Sequence, residues 1–206
     1  EALAKQPSDE FGPLLALGAL QTVQQPGSLD VWLIHMRHST FSRVPDNEVT
    51  GLPPIVGRHP VALFLGDAPR VQSLGKRQYF GNPRNAFWPI MGQLVGFAAD
   101  APYPERTAAL VAAGYAVWDV LASCRRAGSL DSAVERDSMV ANDFGAFFAE
   151  HPSIETVFFT GGAAQANYRR LAFVSPTVRY VRLPSTSPAH AVPFAVKLAA
   201  WRAALS

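Results

Sequence analysis

Val61-Ala62-Leu63-Phe64-Leu65-Gly66 is a short apolar run closed by a glycine, and its reading decides the fold. A run of this length, rich in branched and aromatic side chains and stopped by a turn residue, reads as a buried strand. Three more runs of the same kind follow: Tyr115–Val120, Thr156–Thr160 ahead of Gly161-Gly162, and Val178–Leu183 ahead of Pro184. Helix-like segments lie around and between them. Ala86–Val95 is apolar and carries Pro89, which predicts an irregular start. Glu105–Ala113 is alanine-rich and runs into Gly114, a fitting residue just past a helix end. Asn142 or Asp143 is placed to cap Phe144–Glu150, and Ala163–Leu171 and Phe194–Leu205 complete the set. The Ser-, Arg- and Asp-rich segment from Ser123 to Ala141 reads as a long loop.

Strands that alternate with helices imply parallel pairing with helices on both faces. The expected fold is therefore α/β, three layers α/β/α around a central four-stranded, mainly parallel sheet. In such sheets the active site lies beyond the carboxyl ends of the strands. That rule brings Gly66–Arg70, Asp119–Ser123, Gly161-Gly162 and Pro184–His190 to one edge of the molecule.

Length and composition fit one domain with an ample core: 206 residues, 49% apolar and 17% charged. No apolar run reaches the roughly 18–20 residues that span a bilayer. Pro13–Leu20 is too short for that and lacks a basic flank, so it is not read as a signal peptide. The sequence begins at Glu1 rather than Met, as a fragment or a processed chain would. The single cysteine, Cys124, excludes an intrachain disulfide and a thiolate zinc site, and fits a reducing compartment. His35 and His38 have no third ligand nearby and read as ordinary surface or packing residues. Phe11–Gln25 reads as a helix, Asp30–His38 as helix or strand, and Pro53-Pro54 as a linker.

Net charge is +2, but it is unevenly spread. Residues 58–90 hold five basic side chains and one acidic; residues 156–206 hold six basic and none acidic. Arginine outnumbers lysine fifteen to three, and its guanidinium suits bidentate phosphate contact. Two basic segments can form one positive face for phosphates, or simply a solvated surface.

Two stretches are specific. The first is Leu65-Gly66-Asp67-Ala68-Pro69 followed by Tyr79-Phe80-Gly81-Asn82-Pro83-Arg84-Asn85-Ala86-Phe87-Trp88-Pro89-Ile90. The second is Leu183-Pro184-Ser185-Thr186-Ser187-Pro188-Ala189-His190-Ala191, with Trp118–Cys124 and Gly128–Ser132 between them. Together they resemble the hypoxanthine-DNA glycosylase (DNA-deoxyinosine glycosylase) family of the uracil-DNA glycosylase superfamily. The resemblance runs from about Gly51 to Leu205 and divides the chain into residues 1–50, an extension of unknown role, and residues 51–206, a uracil-DNA glycosylase-like domain. It implies a monofunctional enzyme that excises a deaminated base from DNA, hypoxanthine first and uracil or xanthine as alternatives. It implies no metal, no cofactor and no lysine Schiff base, with Lys76 and Lys197 the lysines of the matched region. The expected partner is DNA carrying a deaminated base, with no membrane. The chain is read as a cytoplasmic monomer, at the nucleoid in a bacterial cell.

The chain departs from the superfamily pattern at two points. Ala68 stands where many members carry an acid or amide that aligns the attacking water, and Asp67 is one step out of register. Hypoxanthine-type relatives use an Asn further along, which Asn85 matches. They commonly carry Asn where Thr160 stands here.

Base excision sets the roles. A base inside a duplex must be extruded before it can be attacked. Phe80 is the first candidate for the stacking platform, with Tyr79 and Phe87 behind it; Trp88 reads as core. Asn85 can orient a water, or cap the following helix. His190 can stabilise the departing base, contact phosphate or cap the last helix. Asp119 and Thr160 end strands at the site, where Asp119 can accept from a base N–H or hold a loop. Ser185, Thr186 and Ser187 offer hydroxyls and amides for phosphates, and Arg84, Arg125 and Arg126 offer guanidinium groups, unless these are ordinary loop and surface residues. A DNA-binding protein without catalysis is the alternative reading, motivated by Ala68 and Thr160. A small-molecule hydrolase of the same sheet type is a third.

Overall fold

The computed structural model describes residues 47–126 and 134–206. The helix and strand expected within residues 1–46, the two histidines there and the Gly128–Ser132 stretch lie outside the described residues. β1 is Glu48–Thr50 and β2 is Ala62–Gly66. α1 (Val71–Lys76), α2 (Phe87–Val95) and α3 (Tyr103–Ala112) precede β3, Tyr115–Asp119. β4 (Leu121–Arg125), a 3-10 turn (Arg136–Ser138) and β5 (Val140–Ala141) lead to α4, Phe144–Glu150. β6 (Thr156–Phe159), α5 (Gly162–Leu171), β7 (Arg179–Arg182) and α6 (Phe194–Leu205) follow.

The main sheet has the order β3-β2-β6-β7, with every pairing parallel. β2 is central and buried along its whole length. Its side chains alternate between two cores, as strand geometry requires. Leu63 and Leu65 join Phe144, Phe147 and Tyr168 of α4 and α5 on one face. Ala62 and Phe64 join Phe87, Ile90 and Met91 of α2, Leu110 of α3 and Trp201 of α6 on the other. This is the expected three-layer α/β/α architecture. The described residues belong to one compact unit. Among them no helix is long and apolar enough to cross a membrane.

Local signals act as the chemistry predicts. Asp143, not Asn142, caps α4: its Oδ1 accepts from the Ala146 N–H at 2.9 Å. Asn142 instead donates from Nδ2 to the Asp119 carbonyl at 2.8 Å, tying down the end of β3. Gly114 closes α3 at φ +80, a left-handed conformation that strongly favours glycine.

Two expectations are corrected. The Ser123–Ala141 segment is not a long loop, because β4 and β5 join β1 in a second, antiparallel sheet ordered β1-β4-β5. A register shift between Leu121 and Ser123 breaks the two-residue alternation that would betray a strand. Leu121 and Cys124 point inward three positions apart, while serine and arginine fill the other places. Pro53-Pro54 is not a slack linker either. Ile55 and Val117 exchange backbone hydrogen bonds of 2.9 and 2.8 Å, and the Leu52 carbonyl accepts from Trp118 Nε1. β1 extends the ordered fold just ahead of Gly51.

Cys124 is 2% exposed, and burial pushes its thiol pKa up despite the nearby Arg126 cation. Thiolate is the reactive form. A thiol reagent at pH 8 is therefore expected to leave native protein unmodified and to label it on unfolding. Rapid labelling of the native chain would contradict the buried β4.

Candidate active site

The carboxyl ends of β2, β3 and β6, with the turn after β7, surround a cavity of about 310 Å³. That lies at the lower end of the range of small-ligand sites, about 300–1,000 Å³. The Gly66–Arg70 loop, Asp119, Gly161-Gly162 and the Ser185–His190 turn all line it, so the predicted loops converge. Residues 120–123 do not, because Val120 and Leu121 turn away into β4. Of the candidate residues, Asn85, His190, Phe80, Tyr79, Asp119, Thr160, Ser185, Thr186 and Ser187 line the cavity; Arg84 is exposed and does not.

The floor is set by strand ends. Gly66 and Asp119 are register partners, and a Cβ on Gly66 would run into the Asp119 carboxylate. Only glycine lets that buried carboxylate stand against β2. Thr160 gives both its N–H and its hydroxyl to the Leu65 carbonyl, at 2.9 and 3.1 Å. Its hydroxyl proton is thereby used, which leaves Thr160 as an acceptor toward the cavity. Ala68 is buried and offers no polar group. Asp67 is drawn toward α5, its Oδ1 accepting from Asn167 Nδ2 at 2.7 Å.

Phe80 forms an aromatic wall. Its ring stacks on Phe87 with centroids 3.9 Å apart and planes 17° from parallel. Phe87 is fully buried, so it backs the platform and is not itself the stacking surface. Phe80 sits at φ +52, a left-handed conformation that is an outlier for a bulky residue and costs on the order of 1–3 kcal/mol. Its neighbours enforce it. Gly81 N–H donates to Ser73 Oγ, Lys76 Nζ donates to the Gly81 carbonyl, and Tyr79 N–H donates to Tyr103 Oη. Tyr79 is a structural member of the wall. Its hydroxyl donates to the Leu52 or Pro53 carbonyl at 2.9 and 3.1 Å, and burial, Asp119 and Tyr103 push its pKa upward. Trp88 packs in the core and donates from Nε1 to the Tyr79 carbonyl.

Asn85 is anchored at the start of α2. Its Oδ1 accepts from the Phe87 N–H at 3.0 Å, so the side chain ties down the first N–H of α2 although the N-cap position itself is Ala86. An amide oxygen has two lone pairs. This bond therefore fixes the amide while leaving acceptor capacity at a cavity-lining position. Asn82 is a site residue that the sequence reading missed, although it lies within the quoted stretch. It lines the cavity, its Oδ1 accepts from the Arg84 N–H at 2.9 Å, and its carbonyl accepts from the Asn85 N–H. An asparagine between glycine and proline looks like any turn residue, which hid it.

The Ser185–Ser187 turn is clamped from two sides. The Thr186 carbonyl accepts from Ala86 N–H, and the Pro184 carbonyl from Trp201 Nε1 at 3.0 Å. Ser185 Oγ accepts from Ser187 N–H, and Ser187 Oγ from Ala189 N–H. Both hydroxyl protons stay available to an external acceptor. His190 is exposed at the rim. It does not cap α6, whose N-cap is Pro193. Arg126 is corrected as a phosphate contact, and Arg125 stands half-exposed in an ion pair. Arg125 pairs with Glu135 at 2.8 Å, and Arg126 is buried with its guanidinium donating to the Pro69 carbonyl.

No family model matches the chain. A hypoxanthine DNA glycosylase of Methanosarcina barkeri (strain Fusaro / DSM 804) is 30% identical over 112 residues, which is 54% of this chain and 70% of that protein. A hypoxanthine DNA glycosylase of Methanosarcina acetivorans is 31% identical over 115 residues, 55% of this chain and 72% of that protein. The solution NMR structure of a Methanosarcina acetivorans protein, put forward as a uracil DNA glycosylase, superposes with a TM-score of 0.62 at 26% identity. The match covers 77% of this chain and 99% of that one.

Proposed function

This chain belongs to the hypoxanthine-DNA glycosylase family of the uracil-DNA glycosylase superfamily, and we propose that it hydrolyses the N-glycosidic bond of a deaminated base in DNA, with hypoxanthine the preferred base. The observation that carries this reading is the cavity in which the anchored amide of Asn85 and the aromatic wall of Phe80 stand together. The extruded base stacks on the free face of Phe80, and Asn85 Oδ1 orients the attacking water beneath the sugar carbon. Breaking the bond ahead of attack needs little activation of that water, so an amide suffices where Ala68 offers nothing. The departing base gains negative charge. The N-terminus of α5, which has no side-chain cap, lines the same cavity and favours that charge. Asp119 and Thr160 accept from base N–H groups. His190 is exposed at the rim of the cavity, where it takes phosphate together with Ser185 and Ser187. Arg84, exposed beside the mouth, adds a second contact to the backbone.

The test is single-turnover base release, in EDTA, from oligonucleotides bearing one hypoxanthine, uracil or xanthine. Release, fastest from hypoxanthine, is the expected outcome. Folded protein that binds these substrates and releases nothing would replace this reading with DNA binding alone, the alternative that the apolar Ala68 favours.

Phe80 gives a graded check. Base–aromatic stacking is worth about 1–3 kcal/mol per base. Phe80→Ala is expected to weaken capture of hypoxanthine-containing DNA by roughly 5- to 150-fold. Phe80→Gly should lose the same affinity yet melt higher than the alanine variant, because glycine is unstrained at positive φ. Equal affinity for wild type and both variants would remove Phe80 from the base pocket.

A further inference from the structure

Lys197 has no role in the chemistry above, yet the fold holds it in a costly place. It lies in the first turn of α6 and is 4% exposed. Desolvation disfavours the charged form, and burial lowers the pKa of this ammonium accordingly. The position is unfavourable a second time, because a cation in the first helical turn faces the positive end of the helix dipole. Little compensates. Residues 156–206 contain no acidic side chain, and among the described residues no carboxylate stands within ion-pair reach of Lys197 Nζ. Its hydrogen bond is to the Ser187 carbonyl at 3.2 Å, which uses one of three N–H groups. A buried charge without a counter-charge is normally removed by selection or serves a purpose.

The bond to Ser187 indicates the purpose. That carbonyl belongs to the cavity-lining turn whose two serine hydroxyls accept from backbone N–H groups and keep their own protons unspent. We propose that Lys197 is a positioning residue for a DNA phosphate at the Ser185–Ser187 turn, and that the substrate backbone supplies its missing counter-charge. The ammonium draws the Ser187 carbonyl inward, which fixes the turn, and its field makes the turn positive. Empty, the site holds an unmatched cation; occupied, it holds a matched pair across the turn. The proposal rests on the DNA reading given above.

The test is the salt dependence of affinity for a duplex carrying one hypoxanthine, measured by fluorescence anisotropy. Each phosphate neutralised contributes about 0.9 to the slope of log affinity against log salt. Lys197→Met and Lys197→Gln are expected to flatten the slope by about 0.9 relative to wild type, and Lys197→Arg to preserve it. The DNA-free Met variant should melt at or above wild type, since it removes a desolvated charge. An unchanged slope in the neutral variants, with a steep slope in wild type, overturns the role of Lys197 and leaves the DNA reading standing. Neutral variants that fail to fold would make the ammonium a structural prop and overturn the proposal. A wild-type chain with no salt-dependent binding would overturn the DNA reading and this proposal together.

Discussion

Asn85→Ala is expected to lower single-turnover base release by about a hundredfold or more while the protein still binds damaged duplex. The expectation follows from the double use of one oxygen. Asn85 Oδ1 holds the Phe87 N–H at 3.0 Å, and in the proposed mechanism the same oxygen of this cavity-lining residue accepts from the water. Removing it also frees the first N–H of α2, which costs about 0.5–1.5 kcal/mol of stability. Two further variants separate these effects. Asn85→Ser retains a side-chain oxygen for the helix but is too short to reach the water, so it should melt near wild type and remain slow. Asn85→Asp keeps the length and the acceptor, so it should recover part of the rate. If the alanine variant turns over like wild type, Asn85 serves α2 alone and the water is aligned elsewhere.

The largest loss of stability is expected at Trp201. The ring is fully buried, stacks on Phe64 at 5.5 Å and meets Phe87 edge-on at 5.8 Å. Trp201→Ala should cost about 3–5 kcal/mol, with about 1 kcal/mol more for the lost bond to the Pro184 carbonyl. For a domain of this size the melting temperature should fall by roughly 8–24 °C. The change also reaches the site. Phe87 packs between Trp201 and Phe80, and Pro184 begins the serine turn, so the residue joins core and cavity. Trp201→Phe should keep most of the stacking and lose the hydrogen bond, giving a smaller loss of stability with a measurable rise in the dissociation constant for DNA. A loss below about 1 kcal/mol for the alanine variant would mean that α6 is not packed on β2 in this way.

Of the four central strands, β2 and β6 were legible as apolar runs ended by glycine and threonine, while β3 and β7 were read from their branched and aromatic residues despite Asp119, Arg179 and Arg182. β4 and β5 were not. Their bulge breaks the alternation, and only the pairing of β4 with β1, distant in sequence, and of β5 with β4 makes them strands. α1 was missed for a similar reason, since its six residues carry one leucine and an internal glycine. At the site, the rule that loops gather at strand ends located the cavity, and the Asn85 and Ser-Thr-Ser motifs supplied candidates. Burial of charge was invisible. Arg126 turns inward because the Pro69 carbonyl waits there, and Lys197 because Ser187 does, and neither contact is local in sequence. The two uses of Asn85 could not be separated on the sequence either: the structure shows its Oδ1 on the Phe87 N–H, and base release by the Asn85 variants decides the other.

Because the main sheet is parallel throughout, every pairing in it needs a crossover connection rather than a tight turn. Thr160 reaches Leu65 across 95 residues of chain, and Asn167 reaches Asp67 across 100. Closing such loops is entropically expensive before any contact rewards it, so folds of this kind nucleate slowly. Each wall of the cavity comes from a different stretch of sequence, and the serine turn is clamped only once α6 has docked. During synthesis the strands can therefore emerge well before a working pocket exists, and the recognition surface is among the last features of the molecule to mature.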